Sequence, residues 1–268
     1  MIKVIVTGAA GRMGKRLVAN VLNSEDMQLA GAVEIPASPD IGKDAGTVAG
    51  LQEAGVKITT ELAPLLENAD AVIDFSTGPV VKNAKLAVSK NCSVVIGTTA
   101  LSEEEKLELK KLAENGGKIV QAPNMSVGVN LLFHLAREVT KILGNGYDIE
   151  IVEMHHNQKK DAPSGTAARL AEIIAAEKNL SYKDDVRHGR EGITGARTPN
   201  EIGMHALRGG DVVGDHTVIF ATEGERVELT HKASSRDTFA KGAVRAARFL
   251  YHAKPGFYDM QDVLNLSK

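Results

Sequence analysis

Short runs of β-branched and apolar residues alternate with amphipathic helical patterns through the first half of the chain. Strands that alternate with helices join through right-handed crossovers into a parallel sheet with helices on both faces. The pattern therefore predicts a doubly wound α/β domain. The predicted strands are Ile2–Thr7, Gln28–Glu34, Val56–Thr59, Ala71–Phe75, Ser93–Gly97 and Lys118–Gln121. The predicted helices are Met13–Asn23, Glu61–Glu67, Val80–Lys90 and Glu103–Asn115, the last with the capping-box spacing of Ser102 and Glu105.

The rhythm changes after Met125, which indicates a second domain of α+β character. A long helix, a strand and a second helix are followed by a polar, glycine-rich stretch at 183–203 and then by three consecutive strand patterns. A final amphipathic helix is expected to return to the first domain, since chain termini often lie close together. We expect residues 1–126 with 236–268 to form one domain and 127–235 the other. The predicted elements are Val127–Leu143, Asp148–His155, Ser164 to about Lys178, Met204–Leu207, Val212–Thr222, Arg226–Ala233 and Thr238–Tyr251.

Composition narrows the class of protein. The 268 residues are 43% hydrophobic and 25% charged, with a net charge of -2. That balance predicts a globular protein with no basic surface for nucleic acid or an anionic membrane. The one cysteine, Cys92, excludes an intramolecular disulfide and is expected to be a small buried hydrophobe. The amino end has no basic start or small-residue cleavage site, and no apolar stretch approaches ~18 residues, so a cytoplasmic location is predicted.

Three glycines follow the first strand directly and open a helix, in the sequence VTGAAGRMG. Gly8, Gly11 and Gly14 have the G-x-x-G-x-x-G spacing, in which glycine lets the backbone turn tightly and approach a pyrophosphate at a helix N-terminus. The acid that ends the second strand, Glu34, is placed to bind ribose hydroxyls. The alternative is a tight turn that needs glycine for steric reasons alone. The strand–loop–helix context favours dinucleotide binding.

The acid also bears on the choice of nicotinamide cofactor. A carboxylate at Glu34 accepts hydrogen bonds from the ribose and repels a 2′-phosphate, and Ile35 after it offers no compensating charge. Arg12, Lys15 or Arg16 could supply one. The sequence therefore favours NADH and leaves NADPH open.

A second segment, residues 153–167, combines histidines, lysines and a helix start. The N–H groups of Gly165 and Thr166, with the Thr166 hydroxyl, would form an anion site suited to a carboxylate. Lys159 and Lys160 add positive charge. Two histidines, His155 and His156, stand beside these lysines and could take part in proton transfer near neutral pH.

Three other interpretations of this segment remain open. The histidines could bind a metal ion, but adjacent strand residues point to opposite faces and no HExxH or CxxC motif accompanies them, so we expect none. They could be structural. One of the lysines could be a solvated loop tip.

Together these segments resemble a known family. GAAGRMG and EMHHNQKKDAPSGTA closely resemble the 4-hydroxy-tetrahydrodipicolinate reductases, also called dihydrodipicolinate reductases, of bacterial lysine and diaminopimelate synthesis. Further matching pieces are IGTT at 96–99, APNMS at 122–126 and LRGGDVVGDHTV at 207–218. The resemblance extends over nearly the whole chain in the expected order.

The resemblance implies a Rossmann-like domain and a second domain for substrate binding and oligomerisation. It implies NADH or NADPH as the cofactor, a small dicarboxylate substrate and a homotetramer. His155 would be the proton donor or acceptor and Lys159 the proton donor. The substrate's carboxylate would be bound by His156, Gly165 and Thr166. The implied cofactor residues are Gly8, Ala9, Ala10, Gly11, Arg12, Met13, Glu34, Gly97, Thr98, Thr99, Ala122, Pro123, Asn124 and Met125.

Other functions fit the sequence less well. A semialdehyde dehydrogenase needs a nucleophilic cysteine, which Cys92 is not expected to provide. A catalytically silent dinucleotide sensor would have no need of His155 and Lys159. The remaining alternative is an NAD(P)-dependent reductase with another small substrate.

The chain departs from the family's pattern at one position. Some relatives carry a basic residue after the acid of the second strand, where this chain has Ile35.

Overall fold

The computed structural model describes residues 1–98 and 101–266. The chain divides into two compact units. The first unit comprises Met1–Val127 together with the chain from Arg236 onward, and the second comprises Gly128–Ser235. Each unit encloses its own apolar core. Among all the described residues, no helix has both the length and the apolar character needed to cross a bilayer.

The first unit is built on a seven-stranded sheet in which every pairing is parallel. Along the first strand, β1 (Ile2–Thr7), Val4 and Val6 face one layer of helices and Ile5 faces the other, because successive strand residues point to opposite faces. The strands, in spatial order, are β12 (Gly256–Tyr258), β6 (Lys118–Gln121), β5 (Ser93–Ile96), β4 (Ala71–Asp74), β1 (Ile2–Thr7), β2 (Met27–Val33) and β3 (Ile58–Thr59). The helices are α1 (Arg12–Leu22), α2 (Ala45–Val48), α3 (Val80–Ser89), α4 (Glu103–Glu114), α8 (Asp237–His252) and α9 (Met260–Val263).

The second unit contains a mixed five-stranded sheet. Its central strand is antiparallel to one neighbour and parallel to the other. Apolar residues of the two longer helices pack on one face of the sheet. The strands, in spatial order, are β11 (Glu225–Ala233), β10 (Gly214–Thr222), β7 (Asp148–His155), β9 (Ile202–Arg208) and β8 (Val186–His188). The helices are α5 (Val127–Leu143), α6 (Gly165–Glu177) and α7 (Tyr182–Asp185), and Gly144–Gly146 form a 3-10 turn.

The predicted doubly wound parallel sheet and the α+β character of the second domain are both confirmed. The capping box is also present: the Ser102 hydroxyl accepts from the Glu105 N–H at 3.2 Å, and the Glu105 carboxylate accepts from the Ser102 N–H at 2.9 Å. Cys92 is buried, as expected, and burial raises the pKa of its thiol.

Two predicted elements differ in the structure. The helix predicted at Glu61–Glu67 is a 3-10 helix, Ala63–Asn68, with a proline in its first turn. The strand predicted at Val56–Thr59 is reduced to two residues. α7 and β8 lie at the start of the polar, glycine-rich stretch, where the sequence predicted no helix or strand. Elements of two to six residues are too short to display a hydrophobic period, which explains these errors.

One close packing contact fixes α8 beside the end of β6. A Cβ added to Gly242 would lie 1.7 Å from the carbonyl oxygen of Met125, so only glycine fits without a shift of the backbone. Gly242 itself is buried. The helix therefore sets the position of the Met125 backbone.

We expect Gly242→Ala to lower the free energy of unfolding by about 1–3 kcal/mol, because overpacking against backbone atoms cannot relax cheaply. Gly146→Ala is the matched control, since an added Cβ there meets nothing within 4 Å. Its effect should stay within about 0.5 kcal/mol. Scanning calorimetry of the two variants and the wild type measures the difference. Equal unfolding temperatures for both variants would contradict this role of Gly242.

Candidate active site

The glycine loop lies between β1 and α1 and is drawn tightly onto itself. Gly8 has a φ of +69°, which favours glycine, and its position lies against the backbone of Ser76. The Gly11 N–H donates to the Gly8 carbonyl at 3.0 Å. A Cβ on Gly14 would lie 1.9 Å from that same carbonyl oxygen. Gly8 and Gly14 are therefore needed for the close approach of loop and helix, and a Cβ on Gly11 would lie only 3.1 Å from the Gly8 carbonyl oxygen.

The N-terminus of α1 has the properties of an anion site. Its N-cap is Gly11, and within the described residues no side chain caps the helix. The backbone N–H groups of a first turn and the helix dipole then favour a phosphate there. Ala9 is buried in the core, and its N–H donates to the Val33 carbonyl at 3.1 Å, whereas Arg12 is exposed.

Glu34 follows β2 and bends over the glycine loop. Its carboxylate accepts hydrogen bonds from the N–H groups of Ala10 at 3.1 Å and Ile35 at 2.9 Å. A cavity of about 480 Å³ lies beside it. The charged residues that line the cavity are Glu34, Glu61 and Lys82. Sequence reasoning missed Lys82, which lies in the first turn of α3, directly after β4.

Of the cations that the sequence offered near Glu34, Arg16 instead pairs with Asp237 at 3.7 Å. Neither Arg12 nor Lys15 lines this cavity. Among the described residues, Lys82 is therefore the cation that lines this cavity.

A second cavity of about 420 Å³ lies at the carboxyl ends of β4, β5 and β6. It shares Ser76 with the first cavity. Of the predicted cofactor residues it is lined by Met13, Gly97, Thr98, Pro123, Asn124 and Met125. Ala122 is buried and does not line the cavity, and Thr99 lies outside the described residues. The sequence missed Phe75, Arg236 and Phe239, which also line this cavity.

Packing around Phe75 explains why a glycine ends β5. A Cβ on Gly97 would lie 2.1 Å from the Phe75 ring, so the ring occupies the space that a side chain would fill. The loop that carries Phe75 is held by Asp74, which is fully buried and accepts from the Ser76 N–H at 2.9 Å and the Ser76 hydroxyl at 2.7 Å. The Thr98 hydroxyl donates to the Ser76 carbonyl at 2.8 Å. These bonds fix the wall between the two cavities.

The two joined cavities and the glycine loop fit a dinucleotide. In parallel α/β sheets, ligands bind outside the carboxyl ends of the strands, which is where both cavities lie. The tight loop offers backbone N–H groups between them. The residues present would therefore hold an adenosine ribose near Glu34 and a nicotinamide near Gly97.

In the second unit, a buried carboxylate holds the predicted proton-transfer histidine. Glu153 has no exposed side-chain surface. Its Oε2 lies 2.5 Å from His155 Nδ1, and Arg208 donates two hydrogen bonds to the carboxylate, at 2.9 and 3.0 Å. The Ser164 N–H donates to Oε1 at 3.0 Å. One carboxylate thus connects the end of β7, the end of β9 and the start of α6.

The electrostatics of this group follow from burial and charge. Burial opposes ionisation of Glu153, but hydrogen bonds from Arg208, His155 and the Ser164 N–H outweigh it and lower the pKa of the carboxyl. Burial is also the largest influence on His155 and lowers the pKa of the imidazole, with Lys159 and Arg208 acting in the same direction and Glu153 against them. Glu153 is therefore ionised, and His155 is largely neutral, at neutral pH.

The two lysines of the loop after β7 differ in environment. The Lys159 ammonium donates to both oxygens of Asp161, at 2.9 and 2.8 Å, and its side chain is 18% exposed. Lys160 is exposed. Lys160 is therefore the solvated loop residue that the sequence allowed for.

The start of α6 is organised by Ser164. The Ser164 hydroxyl accepts from the Ala167 N–H at 3.2 Å and lies 3.0 Å from His216 Nε2. Gly165, the first helical residue, is exposed, and Thr166 and His156 are half-buried. Burial lowers the pKa of His216 to about 3, so this imidazole is neutral.

Sequence reasoning missed three residues of this site: Glu153, Arg208 and His216. A signal for the first was present. Alternation along β7 places Glu153 on the same face as Ile149 and Ile151, and an acid at an apolar position indicates a paired buried charge. Arg208 lies 55 positions away along the chain and gives no local signal.

Comparison with known proteins extends this description. Residues 2–125 match the family model of the dihydrodipicolinate reductase N-terminus, and residues 128–264 match that of the C-terminus. A 4-hydroxy-tetrahydrodipicolinate reductase of Syntrophotalea carbinolica is 51% identical over 267 residues, which cover 99% of this chain and 100% of the relative. The same enzyme of Geotalea daltonii is 48% identical over 267 residues with the same coverage.

A solved structure is similar over the same length. A dipicolinate-bound dihydrodipicolinate reductase from Paenisporosarcina sp. TG-14 superposes with a TM-score of 0.77 and 27% identity, covering 98% of each chain. Both halves of this chain and nearly its entire length are thus matched by one family. The chain belongs to the dihydrodipicolinate reductase family.

Proposed function

We propose that this protein catalyses the NAD(P)H-dependent reduction of 4-hydroxy-tetrahydrodipicolinate, or its dehydrated form dihydrodipicolinate, to tetrahydrodipicolinate. This is a step in lysine and diaminopimelate biosynthesis. The observation that carries the proposal is the cluster at the end of β7, where His155, Lys159 and the start of α6 come together in a chain of this family. A dinucleotide sensor would need none of these groups.

The first unit would bind the cofactor. Gly8–Met13 would contact the pyrophosphate, Glu34 the adenosine ribose, and the residues of the second cavity the nicotinamide, with Thr99 and Ala122 completing that side. The bound nicotinamide supplies a hydride to C4 of the substrate ring. Phe75 and Gly97 would shape the wall against which the nicotinamide lies.

The second unit would bind the dicarboxylate and provide the proton. His156, Gly165 and Thr166 would hold a carboxylate at the start of α6, where the helix dipole favours negative charge. Lys159, with His155, would donate the proton that completes the reduction. The dipicolinate-bound relative supports a planar dicarboxylate as the ligand.

The first test compares Lys159→Ala with Lys160→Ala. The substrate is formed in situ from pyruvate and aspartate semialdehyde, and turnover is followed as loss of NADH absorbance. Lys159→Ala should lower kcat by about 10²-fold or more, because it removes the proton donor. Lys160→Ala, which removes an exposed charge one residue away, should change kcat less than about threefold.

Calorimetric titration with NADH should give the same Kd for both lysine variants and the wild type, because neither lysine belongs to the first unit. Tight NADH binding by the wild type without turnover would exclude this reaction. It would leave a reductase with another substrate, or a sensor.

The preference for NADPH or NADH tests whether the adenosine ribose binds in the first cavity. Glu34→Gln removes the charge that repels a 2′-phosphate, whereas Lys82→Gln removes a cation that would attract one. The ratio of kcat/KM for NADPH to that for NADH should rise about tenfold in the first variant and fall in the second. Steady-state kinetics with both cofactors measures the ratio. Changes in the same direction would show that the adenosine ribose lies elsewhere.

We also propose a cytoplasmic homotetramer that assembles through the second unit. Helices cover the face of the sheet that carries Ile149, Ile151 and Val218. The opposite face presents Val152, Met154 and Ile219, and Leu207 beside them is 48% exposed. Partly exposed apolar side chains on a sheet face that no helix of the described chain covers favour contact with other copies.

Light scattering after size-exclusion chromatography should give the mass of four chains. Ile219→Lys places a charge on the uncovered face and should reduce that mass. Ile142→Lys is the control, because Ile142 is 79% exposed on α5. A wild-type monomer would contradict the proposed assembly, as would a tetramer that Ile219→Lys leaves intact.

A further inference from the structure

We infer that Glu153 is a positioning residue for the proposed reaction: it fixes the His155 ring with the proton on Nδ1, so that Nε2 is the nitrogen that exchanges protons. Arg208 supports this role, because its two hydrogen bonds keep Glu153 ionised and in place. The inference rests on the proposed function, but the first part of its test does not require turnover.

The hydrogen-bonding capacity of the two side chains determines the tautomer. An ionised carboxylate only accepts hydrogen bonds, so the 2.5 Å contact requires His155 Nδ1 to be the donor. Nε2 is then the unprotonated nitrogen of the neutral ring. A short contact to a fixed buried carboxylate also restricts the rotation of the ring.

Glu153 itself is held from three directions, so it can act as a fixed reference. Arg208 donates a hydrogen bond to each carboxylate oxygen, the Ser164 N–H donates to Oε1, and His155 contacts Oε2. Arg208 also donates to the Asp161 carbonyl at 2.7 Å and thereby anchors the loop that carries Lys159. A carboxylate with so many donors has little freedom to move.

A glycine lies beside Nε2 of His155. Gly214 on β10 lies beside the ring, and a Cβ there would come within 3.0 Å of Nε2. Glycine at this position keeps that nitrogen clear of a side chain. The other ring nitrogen, Nδ1, is bound to Glu153.

Charged and titratable groups face His155 from every element around it. Glu153 lies on the same strand, Lys159 on the following loop and Arg208 on β9. His216 on β10 contacts the ring edge to face at a centroid distance of 5.2 Å and is neutral. Glu153 is the only anion among these four residues. Removing it should therefore lower the pKa of His155 further, and removing Arg208 should raise it.

The tautomer can be tested in the wild-type protein. With 15N-labelled histidine, the NMR shifts and couplings of His155 should identify Nδ1 as protonated and Nε2 as unprotonated in the neutral ring. His155→Gln assigns the signal. A neutral ring protonated at Nε2 would overturn the inference, whether or not the protein reduces the proposed substrate.

The catalytic consequence is tested with Glu153→Gln and Arg208→Gln. Glu153→Gln keeps the shape of the side chain and an acceptor for the Ser164 N–H, and should lower kcat by about 10²-fold or more while KM changes little. The limb of the pH–kcat/KM profile that belongs to His155 should move to lower pH in Glu153→Gln. It should move to higher pH in Arg208→Gln. Glu153→Asp, which retains the charge, should recover part of kcat.

A matched control comes from the same strand. Glu150 lies on the opposite face of β7 and is also bound by a histidine, His205, and by two arginines, Arg190 and Arg197. Glu150→Gln should leave the pH profile in place, and its oligomeric state is checked by light scattering. If Glu153→Gln and Glu150→Gln lower thermal stability alike and neither moves the pH profile, Glu153 is merely structural. If the wild type does not turn over, the proposed function fails while the tautomer measurement still stands.

Discussion

The end of β7 in the second unit is organised by one ion pair, between the buried Glu153 and Arg208. Glu153 has no exposed side-chain surface, and a carboxylate in that position is stable only if it is paired and fully hydrogen-bonded. Arg208 provides the opposite charge, and the remaining lone pairs accept from His155 and the Ser164 N–H. Removing one partner of such a pair costs about 3–5 kcal/mol, because the other charge stays buried. The same bonds that make burial tolerable therefore also hold His155, the proposed proton-transfer histidine, and the start of α6.

The first unit relies on a different constraint, which is close backbone approach rather than charge. Gly14 packs on the Gly8 carbonyl, and Gly97 lies under the Phe75 ring. In each case the missing Cβ lets a backbone segment or a ring reach a position that a dinucleotide site requires. Gly8 directly follows β1 and Gly97 directly follows β5. Both therefore lie at the carboxyl edge of the sheet, where ligands of parallel sheets bind.

A feature could be predicted from the sequence when the residues that form it lie close together along the chain. β1, the glycine loop and α1 were predictable, because a buried strand, three glycines and an amphipathic helix follow each other within 22 residues. The start of α6 was predictable from Ser164 and its neighbours for the same reason. Arg208 and His216 were not, since their partners lie 55 and 52 positions away and only the pairing of β7 with β9 and β10 brings them together. Lys82 was missed because nothing in α3 alone indicates that its first turn borders the cavity of Glu34.

The two carboxylates of β7 show how burial and geometry separate structural from chemical roles. Glu150 and Glu153 are both bound by arginine and histidine, and the pKa of both carboxyls is lowered even though burial opposes ionisation. Glu150, however, lies on the other face of the strand, and its arginines also bind Glu201, directly before β9: Arg197 donates to the Glu201 carbonyl at 2.6 Å. Its network joins the loop before β9 to the sheet. Glu153 lies beside the start of α6 and the loop that carries Lys159, where we infer that it fixes the tautomer of His155. Three residues along one strand thus separate two similar clusters onto opposite faces, because side chains alternate, and only one of them faces groups that could act on a dicarboxylate.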